Sequence, residues 1–374
     1  MKSGHDIEAA KRVVVKIGSA LLVDPERGTV HRSWLEGLAE DMARFKTRGQ
    51  EVVVVSSGAI AVGRRHLELP PGRLRLEESQ AAAATGMVRL AHAYQEVLAH
   101  HDMTVAQVLV TIDDSENRRR YINARNTLET LLRYGAVPLI NENDTVATDE
   151  IRFGDNDRLA ARVAAMISAD LLIVLSHMDG FYDRDPHEFA DAQHIPEICG
   201  NLTPEIEAMA GNNKSYDGSG GMITKLAAAR IAIGSGTRMI IADGTESHPL
   251  RRLEAGARCT RFLPTANPKT ARKQWIAGSL KPMGSVVLDV GAINALHAGK
   301  SLLPAGVTAI EGYFQRGDAV TIKAPDGSEI GRGLIAYSAA DAARIVGYKT
   351  SEIEAILGYR GRDEMIHRDD LVLS

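Results

Sequence analysis

Four junctions along the chain set polar or glycine residues directly after an apolar run, where a phosphate-bearing substrate could be handled. Lys16-Ile17-Gly18-Ser19 puts an ammonium beside a small-residue turn. Ser56-Ser57-Gly58-Ala59 runs into a helical stretch and offers free backbone N–H groups at its start. Asn141-Glu142-Asn143-Asp144 is followed by Gly154-Asp155-Asn156-Asp157 at the head of the next helical stretch. The last, Gly218-Ser219-Gly220-Gly221-Met222-Ile223-Thr224-Lys225, is a glycine-rich loop ending in a helix that carries a lysine. Each has a plainer reading by itself. Lys16 reads as an exposed strand lysine, Ser56-Ser57-Gly58 as a helix N-cap, Gly218 to Gly221 as a flexible loop, and Asp155 and Asp157 as charges complementing a helix dipole. Together they fit a reaction whose transition state carries several negative charges. Phosphoryl transfer is such a reaction, because the protein's task there is mainly to position the partners and neutralise the transferring group.

The elements that must hold these residues follow from the hydrophobic pattern. Short runs rich in Val, Ile and Leu on successive positions predict strands at Arg12 to Ile17, Glu51 to Ser56, Val105 to Val110, Val137 to Ile140, Asp170 to Leu175 and Arg238 to Ala242. Successive rather than alternating apolar residues mark strands covered on both faces, hence a mainly parallel sheet sandwiched between helices, an α/β class. Helices are expected over Ser33 to Arg48, Glu77 to His100, Arg118 to Arg133, Asn156 to Ile167 and Met222 to Ile233. In the fourth, Leu159, Val163 and Ile167 form one apolar stripe. In such sheets ligands bind at the carboxyl ends of the strands, which is where the four junctions fall. The character changes near Arg261 to Gly284, a basic stretch punctuated by Pro264, Pro268 and Pro282. We divide the chain into an α/β domain over 1–262, a linker over 263–284 and a small β-rich domain over 285–374.

Composition removes several classes. With 44% hydrophobic and 25% charged residues among 374, the chain is an average globular one, and neither disordered nor collagen-like. The longest run without a charged residue, Val52 to Gly63, is 12 residues, too short to span a bilayer. No apolar leader segment opens the chain, so a cytoplasmic protein is expected. Cys199 and Cys259 lack metal-ligand spacing and are expected to be packing residues. A net charge of −4 gives no global field for a polyanion. The P-loop pattern is missing: Gly299-Lys300-Ser301 supplies its end, but Asn294 stands where its first glycine is required. Dinucleotide, nucleophile-elbow and zinc-protease motifs are absent as well.

The quoted residues resemble the amino acid kinase family over nearly the whole chain. The resemblance rests on VVVKIGSALL (Val13 to Leu22), VVVVSSGAIAVGR (Val52 to Arg64), NAR (Asn123 to Arg125), INENDTVAT (Ile140 to Thr148), GDND (Gly154 to Asp157) and SGGMITKLAAA (Ser219 to Ala229). The C-terminal part is similar to a PUA domain, through SLLPAGV (Ser301 to Val307), RGD (Arg316 to Asp318), ILGY (Ile356 to Tyr359) and HRDD (His367 to Asp370). The resemblance is to the members that act on glutamate. It implies ATP-dependent phosphorylation of the L-glutamate side-chain carboxylate, the first step of proline synthesis, with Mg2+, feedback inhibition by proline and a homodimer or homotetramer. By position it implies Lys16, Lys225 and Asp157 as catalytic residues. It implies Ser57, Asp144, Asn156 and Asp155 for glutamate, and Lys16, Gly18, Ser176, His177 and Ser219, Gly220, Gly221, Met222, Ile223, Thr224 and Lys225 for ATP, with no protein metal ligand. Ser19-Ala20, Ser176-His177 and Tyr216-Asp217 depart from the pattern, and His177 stands where an aspartate is usual. Kinases of this fold for other acceptors, and an RNA-binding protein acting through the PUA-like part, are the competing readings. Residues 285–374 hold 9 Lys and Arg against 12 Asp and Glu, the wrong balance for an RNA surface.

Overall fold

The computed structural model describes residues 2–24, 27–70, 72–147, 155–210, 221–278 and 281–373. The chain divides into two compact units, Met1–Glu116 with Asn123–Pro268, and Asn117–Ile122 with Lys269–Ser374. The first runs α1 (Lys2–Ala9), β1 (Arg12–Ile17), α2 (Ser19–Leu22), α3 (Arg32–Thr47), β2 (Glu51–Val55), α4 (Ala59–His66), α5 (Leu76–Ala99), β3 (Val105–Val110), α6 (Ile112–Glu116), α7 (Arg118–Arg133), β4 (Val137–Glu142), α8 (Asp155–Met166) and β5 (Leu171–Ser176). It continues through β6 (Phe181–Tyr182), β7 (His194–Ile195), β8 (Glu197–Cys199), α9 (Pro204–Met209), α10 (Met222–Gly234), β9 (Arg238–Asp243), α11 (Pro249–Glu254) and β10 (Cys259–Leu263).

Eight described strands form one sheet in the order β3-β4-β2-β1-β5-β9-β10-β8, parallel except where β10 runs against β9. The chain moves from β1 to β2 on one side, and reaches β5 on the other only after β3 and β4 have been added beyond β2. That places a topological switch point at the carboxyl end of β1, where open sheets hold ligands. β1 is mostly β-branched, and its Val13, Val14 and Val15 are completely buried, as a strand covered on both faces requires. Val13, Val15 and Ile17 join one core with Leu35, Leu38 and Phe45 of α3 and with Leu90 and Val97 of α5. Strand side chains alternate, so Val14 and Lys16 point to the opposite face, where α8 packs on β1 and β5. A one-residue slip of β1 would send the Lys16 ammonium into an apolar core.

The expected stripe is buried: Leu159 and Val163 of α8, with Ile167 one residue past its end, are each 1% exposed. α4 and α5 approach so closely that a Cβ on Gly63 would stand 1.7 Å from the Ala82 carbonyl oxygen, and one on Gly86 1.8 Å from that of Ala59. Because α4 starts immediately after Ser57-Gly58, this contact fixes the direction in which that turn leaves the sheet. Gly86→Ala is therefore expected to destabilise the chain by about 1–3 kcal/mol through overpacking. A thermal melt unchanged from the parent would contradict it.

The second unit contains α12 (Pro268–Gly278), β11 (Gly284–Leu288), α13 (Val290–His297), β12 (Val307–Gly312), β13 (Ala319–Lys323), β14 (Glu329–Leu334), α14 (Ala339–Ile345), α15 (Ile353–Leu357) and β15 (Leu371–Leu373). Its five strands are ordered β12-β11-β13-β14-β15 around a core of Val286, Val320, Ile322, Phe314 and Ile366. The stretch read as a linker thus holds a helix, α12, and Arg272 on that helix donates to Asp370 in a buried ion pair at 2.5 Å. One of its three prolines, Pro268, begins the helix, where a missing N–H costs nothing. Cys259 is a packing residue as expected, but Cys199 is exposed, at the end of the edge strand β8.

Candidate active site

Register places the carboxyl ends of β4, β2, β1, β5 and β9 along one rim: Val55 pairs with Ile140 and with Lys16, Ile17 with Leu175, and Ser176 with Asp243. Lys16, Gly18, Ser57, Asn141 and Ser176 therefore share that edge. The residues flanking the switch point come together as a charged cluster. Lys16 Nζ lies 2.6 Å from Asp157 Oδ1, and Lys225 Nζ lies 3.4 Å from Asp157 Oδ2. Lys16 is 5% exposed, Lys225 3% and Asp157 0%. The plainer reading of Lys16 as an exposed strand lysine does not hold. Asp157 sits in the first turn of α8, where the helix dipole also favours its negative charge. Thr224, on the first turn of α10, brings its hydroxyl 3.1 Å from Asp157 Oδ2 and 2.8 Å from the Gly221 carbonyl oxygen.

The titration of the cluster follows from burial against pairing. Burial alone would raise the Asp157 carboxyl, but the two ammonium groups, with hydrogen bonds from Lys16 and Thr224, outweigh it and hold the group below the usual carboxylate range. Burial pushes Lys225 below the usual lysine range; Asp157 opposes that shift and the Lys16 charge adds to it. Both lysines share a single carboxylate, so the described cluster carries an excess positive charge, which suits polyphosphate oxygens.

One residue earlier, Asn156 Nδ2 donates to Ser57 Oγ at 2.9 Å and to the Ser56 carbonyl oxygen at 3.3 Å. This fixes the amide's orientation, since a carbonyl only accepts, and leaves Asn156 Oδ1 buried without a hydrogen bond from the described residues. A donor on a bound molecule would satisfy it. Gly58 follows at φ +99°, a left-handed conformation at the start of α4, and a Cβ there would lie 2.8 Å from Val23 Cγ2. Asp144 is buried in the loop after β4. On the other side of β1, the Gly18 N–H donates to the Leu175 carbonyl, and Ser176 Oγ accepts from the Met178 N–H at 3.1 Å. His177 and Ile223 are exposed, while Gly221 and Met222 are half-buried.

The structure thus joins Lys16, Asp157, Lys225 and Thr224 in one cluster and Asn156 with Ser57 in a second, adjacent along the chain. Asp155 opens α8, but its side chain lies outside the described residues, as do Gly154, Tyr216-Asp217, Ser219 and Gly220. Two contacts went unread in the sequence. Thr224, expected along ATP, also touches Asp157, and Ser56, legible only as part of a cap, accepts from Asn156 through its carbonyl. A hydroxyl one residue before a lysine in a helix first turn, and paired serines before a glycine, were the available signals.

The profile of the amino acid kinase family matches residues 11–243, and that of the PUA domain residues 284–357. The chain belongs to the amino acid kinase family. It is 65% identical over 367 residues to glutamate 5-kinase of Paramagnetospirillum magneticum, covering 98% of this chain and 99% of that one. It is 60% identical to the glutamate 5-kinase of Rhodospirillum rubrum, over 96% of both chains, and 56% identical to that of Bradyrhizobium diazoefficiens, over 98% of both. No helix among the described residues is long and apolar enough to cross a membrane.

Proposed function

We propose that this chain transfers the terminal phosphoryl group of ATP to the side-chain carboxylate of L-glutamate, giving L-glutamyl 5-phosphate, the first step of proline synthesis from glutamate. The observation that carries this reading is the buried Lys16–Asp157–Lys225 cluster, one residue along the chain from the Asn156–Ser57 pair. Near-full-length identity to proteins named glutamate 5-kinase supports the choice of acceptor. A glutamate side chain has an ordinary pKa of about 4.3, so at neutral pH the nucleophile is already ionised and needs no general base. What remains is repulsion between that carboxylate and the ATP phosphates. Lys16 and Lys225 offset it, and in a site shielded from water each contact is several times stronger than at the surface. Asp157 holds both ammonium groups in place and opposes the loss of charge from Lys225.

Ser57, Asp144, Asn156 and Asp155 form the glutamate set, with an aspartate answering the α-ammonium and Asn156 Oδ1 free to accept from it. The nucleotide runs along Gly18, Ser176, His177 and Ser219 to Lys225. Asp157 has its oxygens engaged by Lys16, Lys225 and Thr224 and is not arranged as a metal ligand. Mg2+ then belongs on the nucleotide, where it neutralises phosphate charge. Proline as an inhibitor, a homo-oligomer and a cytoplasmic location complete the proposal.

The low Lys225 pKa predicts an alkaline limb of kcat at lower pH than an ordinary lysine would give. Asp157→Asn removes the charge that raises Lys225, so the limb moves to still lower pH; a pH–rate profile with an unmoved limb argues against the assignment. The activity itself is tested by ADP release from Mg-ATP with L-glutamate, N-acetyl-L-glutamate, L-aspartate or UMP, with hydroxylamine to trap an acyl phosphate. Hydroxamate formed with glutamate is the expected result. Activity with another acceptor alone, or with none, would overturn it.

A further inference from the structure

Behind the Ser57 turn lies a buried phenol that the proposed chemistry does not use. Tyr94, on α5, is 0% exposed and belongs to the core with Leu90, Val97 and Leu98. Its hydroxyl stands 3.3 Å from Ser56 Oγ, and Ser56 is itself buried. Ser56 Oγ also lies 3.3 Å from the Ser57 carbonyl oxygen. The proton directions follow from the partners. A carbonyl only accepts, so the single Ser56 proton goes to Ser57, and Tyr94 must donate to Ser56 Oγ. On the other side of the turn, Asn156 Nδ2 donates to the Ser56 carbonyl and to Ser57 Oγ. Ser57 Oγ already accepts from Asn156, which directs its own proton to a further acceptor.

We infer that Tyr94 is a positioning residue for the acceptor: its hydroxyl, through Ser56, holds the Ser57 turn so that the Ser57 proton faces a carboxylate of the bound amino acid. This rests on the glutamate reading above. Two further observations support it. A phenylalanine would fill the same core volume without burying a polar group, and a buried hydroxyl is costly unless its hydrogen bond is made. The space beside Ser56, lined by Met87, Leu90, Gln107, Leu139 and Asn141, is too narrow for a water molecule, so no solvent substitutes for the phenol. Burial also pushes the Tyr94 hydroxyl well above its ordinary pKa, so it remains a donor across the working range.

The test uses the full chain with Tyr94→Phe, Ser56→Ala and the double variant, measuring kcat and the KM of each substrate together with thermal stability. Tyr94→Phe is expected to raise the KM for glutamate roughly three- to tenfold, the range of one lost buried hydrogen bond, with the KM for ATP unchanged. Adding it to Ser56→Ala is expected to bring little more, because the phenol then has no serine to hold. An unchanged KM for glutamate, an equal rise for both substrates, or full additivity would overturn the inference, whatever the melting temperature does. If Tyr94→Phe fails to fold, Ser56→Ala alone decides: no rise in the KM for glutamate overturns it. A parent chain with no glutamate-dependent ADP release overturns the acceptor reading and this inference with it. An active parent with an unmoved Tyr94→Phe overturns only this one.

Discussion

Lys16→Ala and Lys225→Ala are each expected to lower kcat by roughly 10³-fold while the KM for glutamate changes by less than about threefold, the pattern for a group that stabilises charge on the transferring phosphoryl more than it binds the acceptor. The asymmetry follows from placement. Both ammonium groups are directed onto Asp157, from the end of β1 and the first turn of α10. Asn156 and Ser57, the pair assigned to the acceptor, make their hydrogen bonds with each other and with Ser56. Steady-state kinetics on Lys225→Ala and Asp144→Ala decide the matter: equal losses in kcat and in glutamate KM for the two would sink this division of roles.

Asp157→Ala is expected to be the most damaging single change to the fold as well as to the reaction. It leaves two buried lysines facing each other with no carboxylate between them, and breaking a buried pair costs about 3–5 kcal/mol. At the usual conversion this lowers the melting temperature by roughly 10 °C. The Lys225 ammonium, already depressed by burial, would lose its stabilising partner, so kcat falls too, and falls further as pH rises. The parent has a complementary acid behaviour. The Asp157 carboxyl titrates lower folded than unfolded, so its contribution is fully present above about pH 4 and is lost only as pH falls through the lower, folded value. Differential scanning calorimetry across pH would show it as a gap between parent and Asp157→Ala that is full near neutral pH and narrows in acid; no gap near neutral pH would mean that the cluster does not hold the unit together.

Much of this was legible because strands buried on both faces have a conspicuous composition. The Val runs of β1 and β2 and the stripe on α8 located the sheet, and rim residues could be named by looking one or two positions past each run. Lys16 was harder. Its burial depends on strand parity and on α8 lying across that face, neither of which a single strand reveals. The convergence of Lys16, Asp157 and Lys225 was reached through family resemblance, since nothing in their spacing brings such distant positions together. β6, β7 and β8, of two or three residues each, are too short for any period to register. α12 is hidden because the prolines of that stretch read as linker punctuation, whereas Pro268 opens a helix. The Tyr94–Ser56 contact joins a helix stripe to a turn, and only packing could pair them.

The central position of β1 also governs how the protein comes off the ribosome. β1 is hydrogen-bonded to β2 on one side and to β5 on the other. β2 emerges soon after β1, whereas β5 follows only about 115 residues after β2, and at roughly 5–20 residues per second that delay is about 6–23 s. Throughout it, one edge of a valine-rich strand presents unpaired N–H and C=O groups, a ready template for a second nascent chain. The strand that carries Lys16 thus has its second edge sealed long after its first. A change that weakens the β1–β5 seam would show first as lost soluble yield, rescued by chaperones, while each molecule that did close would turn over at the normal rate.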